Sequence, residues 1–167
     1  MERSSVFGVE QVGVRLHWKQ PKRGVWRWEL WSARECVASI GRRGLLSRGW
    51  TINGPSGAWE LKRDWRGRRW FGRPGEEPAI DFEPQWWRGG RFRLRDATRL
   101  TWKRLRRGQW AIANEDGHPF VILRAQRGLL RIEGSVDFDV SARRLADPEP
   151  LLLLGWILML EARRRAH

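Results

Sequence analysis

"EPLLLLGWILMLEARRRAH", residues 149–167, is unlike any other stretch of this chain, and its reading decides the fold. Leu151 to Leu160 is an unbroken run of apolar residues with one glycine, entered past Pro148 and Pro150 and left through Glu161 and three arginines. A membrane-spanning helix needs about 20 apolar residues; this run is too short, and Glu149 on one side and Arg163 on the other stop its extension. An amphipathic helix lying on a surface needs a polar face, and Leu151–Leu160 has none. A helix apolar all round has to be enclosed by protein all round. The segment therefore predicts a buried helix, over about residues 149–163, at the centre of a closed structure.

The rest of the chain supplies the enclosure. Its hydrophobic periodicity is two, the period of strands. Trp26, Trp28 and Leu30 alternate with Arg27 and Glu29 in "GVWRWELW", and Trp59 and Leu61 do the same in "AWELKRDW". Phe92 and Leu94 alternate with arginines in "RFRLRD"; Val136, Phe138 and Val140 alternate with Asp137 and Asp139 in "SVDFDVSA". Aromatic and β-branched residues at the inward positions suit strand packing. Between these runs lie "NGPSG" (53–57), "DWRG" (64–67), "RGG" (88–90) and "NEDGHP" (114–119), each with the Gly, Asn or Asp that hairpin turns use. "DATRLTWKRLRRGQW" has Thr98, Thr101 and Trp102 and reads as strand rather than helix. Many short strands with close turns predict a mainly β fold, a closed antiparallel barrel threaded by the C-terminal helix. At 167 residues the chain is the size of one domain. Residues 1–25 read as an N-terminal strand or extension, and 26–167 as the barrel with its helix.

This order of elements resembles the tubby C-terminal-like fold, which also holds the LURP-one-related proteins and the phospholipid scramblases. The resemblance covers roughly residues 26–165, through "WELKRDWRGRRWF", "GRFRLRDATRLTWKRL", "QWAIANEDGHPFVILRA" and the closing "PEPLLLLGWILMLEARRR". It implies a barrel around a central hydrophobic helix and, by similarity to tubby, binding of anionic lipid headgroups through basic residues. It carries no individual site residue onto this chain, and the acidic calcium loop of a scramblase is missing.

The chain is strongly basic. It has 33 Lys+Arg against 19 Asp+Glu, a formal net charge of +14, which suits a polyanionic partner: nucleic acid, anionic lipid or an acidic protein. Only Lys19, Lys22, Lys62 and Lys103 are lysines, and tyrosine is absent, so a GC-rich coding bias would produce the same composition. Two clusters interleave basic residues with tryptophan. "LKRDWRGRRWFGR" holds Lys62, Arg63, Arg66, Arg68 and Arg69 around Trp65 and Trp70, with the "DWRG" turn expected to project Trp65 and Arg66 outward. "TWKRLRRGQW" holds Lys103, Arg104, Arg106 and Arg107. Arginine pairs bidentately with phosphate, and exposed tryptophan stacks on bases or sits at a membrane interface. These nine residues are the candidate anion-binding set. The competing reading places Trp59, Trp70 and Trp110 in the core and leaves the arginines as a solvated exterior. Arg163, Arg164 and Arg165 are expected to complement the C-terminal dipole of the helix.

Catalytic chemistry is thin. His17, His118 and His167 are scattered, so no metal or cofactor is expected. Cys36 in "ECVASI" reads as a buried, inert strand thiol, and a single cysteine permits no internal disulfide. Asp137 and Asp139 read as the wet face of a strand rather than a catalytic pair. "MERSSVFGVEQVG" lacks a basic start followed by an apolar run, so no signal peptide is expected, and a reducing cytoplasm, with a peripheral place at a membrane, is the expected compartment. Three readings stand: a non-enzymatic tubby-like domain binding anionic ligands such as lipid headgroups or phosphorylated molecules; a nucleic-acid-binding module; and a structural or interaction protein without a ligand.

Overall fold

Twelve strands realise the period-two alternation among the residues described by the computed structural model, which are 15–22, 24–42, 49–85, 89–127 and 132–164. In chain order they are β1 Arg15–Lys19, β2 Arg27–Ser32, β3 Glu35–Arg42, β4 Trp50–Gly54, β5 Gly57–Arg63 and β6 Arg69–Gly72. Then follow β7 Ile80–Gln85, β8 Gly89–Leu94, β9 Arg99–Arg106, β10 Gln109–Ala113, β11 Pro119–Arg127 and β12 Ile132–Phe138. A 3-10 turn, Val140–Arg144, leads into the helix α1 Glu149–Arg164. Each strand pairs antiparallel with its neighbours in sequence, and β1 pairs with β12, Leu16 opposite Val136, so the sheet closes on itself and leaves no free edge. The N-terminal stretch 1–25 thus contributes a wall strand, β1, held between β12 and β2.

The helix fills the barrel. Each residue from Leu151 to Leu160 is buried, and the walls answer with Leu16, Trp18, Leu30, Ile40, Ile52, Phe71, Ile80, Phe82, Phe92, Leu100, Ile112, Val121, Leu123 and Val136, all at 2% exposure or less. Trp156 of α1 meets Trp18 of β1 with ring centroids 6.2 Å apart. Gly155 sits mid-helix at a propensity cost of about 1 kcal/mol because the wall comes close there. A Cβ at this position would lie 2.9 Å from Ile112 Cδ1, with Leu123 Cδ1 at 3.5 Å and Trp102 at 3.6 Å in ordinary contact, so the crowding residue is an isoleucine.

Two glutamates flank the apolar run and fix the helix at each end. Glu149, only 1% exposed, accepts hydrogen bonds from Trp59 Nε1 (2.8 Å), Ser56 Oγ (2.6 Å) and the Ser56 backbone N–H (3.3 Å). Its charge also lies in the first turn, where the helix dipole favours an anion. At the other end Glu161 takes Arg69 Nη2 at 2.5 Å and Trp50 Nε1 at 3.3 Å. The barrel thus has an entry end at Glu149, beside the β4–β5 turn, and an exit end at Glu161.

Four inward assignments from the sequence are overturned, each by local geometry. Trp26 precedes β2, which starts at Arg27, and is 40% exposed. Val140 follows the end of β12, in the 3-10 turn, and is 61% exposed. Cys36 lies on β3 as expected but faces out, because the register shifts between Leu30 and Trp31 and lets both Val37 and Ala38 point inward. On β6 the inward positions are Arg69 and Phe71, so Trp70 faces the outside, under the Arg68 guanidinium at 5.4 Å.

The outer wall is polar: Arg15, His17, Thr51, Asn53, Lys62, Glu83, Arg91 and Arg93 are exposed outward residues. A lipid-facing barrel carries an apolar band outside and a polar lumen, the reverse arrangement. No helix among the described residues is long and apolar enough to cross a membrane.

Burying one Leu or Ile side chain stabilises by about 1.5–3 kcal/mol, so the six leucines and one isoleucine of α1 contribute roughly 10–21 kcal/mol, as large as the ~5–15 kcal/mol net stability of a typical domain. A chain ending at Pro148 should therefore show no cooperative melt by circular dichroism. A melt close to that of the full chain would contradict the central-helix architecture.

Candidate anion-binding cleft at the helix exit

Hairpin connectivity sends every second turn to the exit end, and charge follows that division. The described turns and strand ends there carry Lys19, Lys22, Arg27, Arg42, Arg63, Arg66, Arg68, Arg106 and Arg107, against the acids Asp64, Glu29 and Glu133, the last two opposite Lys19, and Glu161 of α1. The entry end interleaves Arg34, Arg73, Arg95, Arg99 and Arg144 with Glu35, Glu76, Glu77, Asp96, Glu115, Asp116, Asp139 and Asp147. A coding bias toward arginine acts on the whole chain and has no means of dividing acids unequally between the two ends of a barrel. The positive potential is concentrated where the helix leaves.

A cleft of about 580 Å³ opens at this end. Leu158, Glu161 and Ala162 of α1 line its inner side together with the buried rings of Phe82, Trp102 and Trp110. Trp102 and Trp110 are stacked, 4.9 Å between centroids and 5° between planes, which makes a rigid aromatic wall. Arg63, Trp65, Arg66 and Arg104 surround the opening. The first three come from the end of β5 and the β5–β6 turn, the fourth from β9, where Arg104, Leu105 and Arg106 are all exposed in succession. Antiparallel pairing through β6, β7 and β8 brings these two segments to one opening.

The β5–β6 turn is well built. Asp64 Oδ1 accepts the Arg68 backbone N–H at 2.9 Å, the Gly67 N–H reaches Asp64 O at 3.2 Å, and Gly67 takes a φ of 84° that a side chain would resist. The turn holds Trp65 out at 86% exposure, with the Arg66 guanidinium 4.6 Å from its ring centroid. The outward projection expected of "DWRG" is present.

The structure divides the nine candidate residues. Arg63, Arg66, Arg69 and Arg104 line the cleft. Arg69 is a component of its interior: 5% exposed and neutralised by Glu161, it adds no net charge for a ligand. Lys62 lies on the outer wall beside Glu60 (3.4 Å), and Arg68 beside Asp81 (3.3 Å). Lys103 turns away along the wall to Gly117 O (3.2 Å). Arg106 donates to Gln109 Oε1 (2.8 Å), and Arg107 is exposed at the tip of the β9–β10 turn. Arg63 has no ion-pair or hydrogen-bond partner among the described residues, and Arg66 meets only the Trp65 ring there. Their charge is available to solvent. Sequence reasoning missed the aromatic wall, Phe82, Trp102 and Trp110, because inward aromatics look alike whether they back a core or a cleft.

The other chemical candidates resolve into structural roles. Asp137 pairs with Arg15 (2.7 Å) and with Arg124, while Asp139 belongs to the 3-10 turn, so the two form no carboxylate pair. Asp139 Oδ1 accepts the Ser141 hydroxyl and backbone N–H, with His118 Nε2 3.3 Å away; chiefly the Ser141 bonds lower its pKa to about 2. Burial, with Glu29 adding to it, pushes the Cys36 thiol up, away from thiolate character. Groups of three or more metal-ligating side chains are absent among the described residues. Arg163 and Arg164 end α1 itself, whereas Arg165, His167 and Arg88 of "RGG" lie outside the described residues.

Comparison with known proteins found no matching family model, no matching curated protein and no matching solved structure.

Interior and rim charges should respond differently to substitution. Glu161→Gln leaves Arg69 without its counter-charge and should cost about 2–4 kcal/mol. Arg63→Gln, on the exposed rim, should change stability by less than about 0.5 kcal/mol. Chemical denaturation of the two variants checks the contrast.

Proposed function

We propose that the exit-end cleft is a non-enzymatic binding site for an anionic, phosphorylated group, a lipid headgroup in the first instance. The observation that supports this most is the convergence of Arg63, Arg66 and Arg104, from two segments far apart in the chain, around one opening. Guanidinium groups suit phosphate because their planar donors bind its oxygens in pairs. The stacked Trp102–Trp110 wall and the apolar turn of α1 beneath give such a group a site of lower dielectric than open water, where each charge-assisted bond is stronger. The same proposal takes the chain as a tubby-like barrel, on the order of its strands and its enclosed closing helix, working as a peripheral protein of the cytoplasmic side.

Trp65, the most exposed of the large apolar side chains among the described residues, favours a second reading, a nucleic-acid module in which this ring stacks on a base. The two readings differ in salt dependence. Backbone-phosphate binding without base readout falls steeply with salt.

Isothermal titration with a soluble inositol polyphosphate should give saturable binding near physiological salt. The double variant Arg63→Ala with Arg104→Ala should weaken it by at least about tenfold, at ~1.5–3 kcal/mol for each lost charged hydrogen bond. Single-stranded DNA should bind weakly and lose nearly all affinity at that salt. Tight DNA binding there, with no response to the polyphosphate, would reverse the order of the two readings.

A further inference from the structure

Five large hydrophobic side chains are exposed among the described residues, and four of them, Val25, Trp26, Trp65 and Leu105, lie at the exit end. Val25 and Trp26 are in the β1–β2 connection, Trp65 is in the β5–β6 turn, and Leu105 is at the tip of β9 beside the β9–β10 turn. These are the hairpin connections of that end among the described residues, and each of them carries an exposed apolar side chain, at separate places around the closed ring of strands. Basic residues flank every one: Lys22 and Arg27 at the first, Arg63 and Arg66 at the second, Arg106 and Arg107 at the third.

We infer that the exit end is a docking face for an anionic lipid bilayer, on which the barrel stands end-on with Trp26, Trp65 and Leu105 entering the headgroup region. The inference rests on the anion-binding reading of the cleft and adds the partner and its orientation. Three separated points at one end of a cylinder define a plane across its axis, and a bilayer is the flat partner that meets all three together. A nucleic-acid strand follows a line and would engage one or two of them. Tryptophan is at home at the membrane–water boundary, where its ring is apolar and its N–H finds water or headgroup oxygen. Basic residues beside each point meet the negative surface potential, and each contributes about fivefold in partitioning. The rim thereby combines two signals, apolar insertion and charge, the combination that peripheral attachment requires. The cleft opens through the same face, so a headgroup from the docked leaflet could enter it directly. The entry end carries the larger share of acids, interleaved with arginines, and, of the exposed large hydrophobics among the described residues, only Val140. It would be repelled.

The test is co-sedimentation of the full chain with vesicles of phosphatidylcholine alone and of phosphatidylcholine with a third phosphatidylserine, alongside titration with the soluble polyphosphate. Wild type should bind the anionic vesicles, ignore the neutral ones and release at high salt. Leu105→Ser, an exposed change on the protruding tip of β9, should weaken vesicle binding about fivefold, and Trp26→Ser with Leu105→Ser more than tenfold. Neither residue lines the cleft, so polyphosphate affinity should stay at the wild-type value, which also reports that the variants are folded. Vesicle binding equal to wild type in both variants would overturn the docking face. Polyphosphate binding without any vesicle binding would overturn it while leaving the cleft reading intact; failure of both would remove the cleft reading as well. Preference for single-stranded DNA over anionic vesicles at physiological salt would assign the face to nucleic acid instead.

Discussion

Enclosure of an apolar helix by a closed sheet is the constraint on which everything else in this molecule depends. Leu151–Leu160 has no side it can turn to water, so the strands must surround it, and the strands cannot close a twelve-membered ring around empty space. Each half of the structure is the other's core. The arrangement fixes more than stability. Because Glu149 and Glu161 bracket the apolar run, the helix is held lengthwise, by Ser56 and Trp59 at one end and by Arg69 and Trp50 at the other. The last turn of α1 is thereby placed as part of the lining of an opening rather than as a plug that closes it.

A cylinder threaded by a helix has two ends that differ in kind, and this chain has specialised them. Alternate hairpin turns fall at alternate ends, so a sequence can segregate charge between the ends simply by choosing residues in every second turn. Here the exit-end turns took arginine, lysine and exposed apolar tips, and the entry-end turns took most of the acids. Such segregation is costly in self-repulsion. Its persistence in a domain whose stability comes from the interior fits a surface shaped by what it contacts.

Much of the fold was legible in the sequence because two periodicities state it. The period of two in "GVWRWELW" and "RFRLRD" gave the strands, and the absence of any polar face in "LLLLGWILML" gave the enclosed helix. The errors came where alternation meets an interruption: the start of β2 left Trp26 outside, a bulge opposite Trp31 turned Cys36 out, and Glu161 waiting on the helix let Arg69 point inward in place of Trp70. The last of these is invisible from local pattern, since a buried arginine is explained only by a partner some ninety residues away in the chain, Glu161. The site was half legible. Both basic clusters could be named, but nothing in the sequence says that four strands of separation bring them to one opening, or that the four exposed apolar residues share an end. Those are facts of barrel order. The two clusters also proved mixed, with Lys62, Arg68 and Lys103 engaged on the outer wall while Arg63, Arg66 and Arg104 face the opening.

The claim at the centre of this account is that the end where the helix leaves is the end that meets an anion. Backbone amide shifts followed by nuclear magnetic resonance during titration with a soluble inositol polyphosphate test it most directly. The account predicts saturating changes at residues 63–69, 102–107 and 158–162, with the turns at 54–57 and 114–118 unmoved. Changes centred on those entry-end turns, or spread evenly over every arginine of the outer wall, would contradict it.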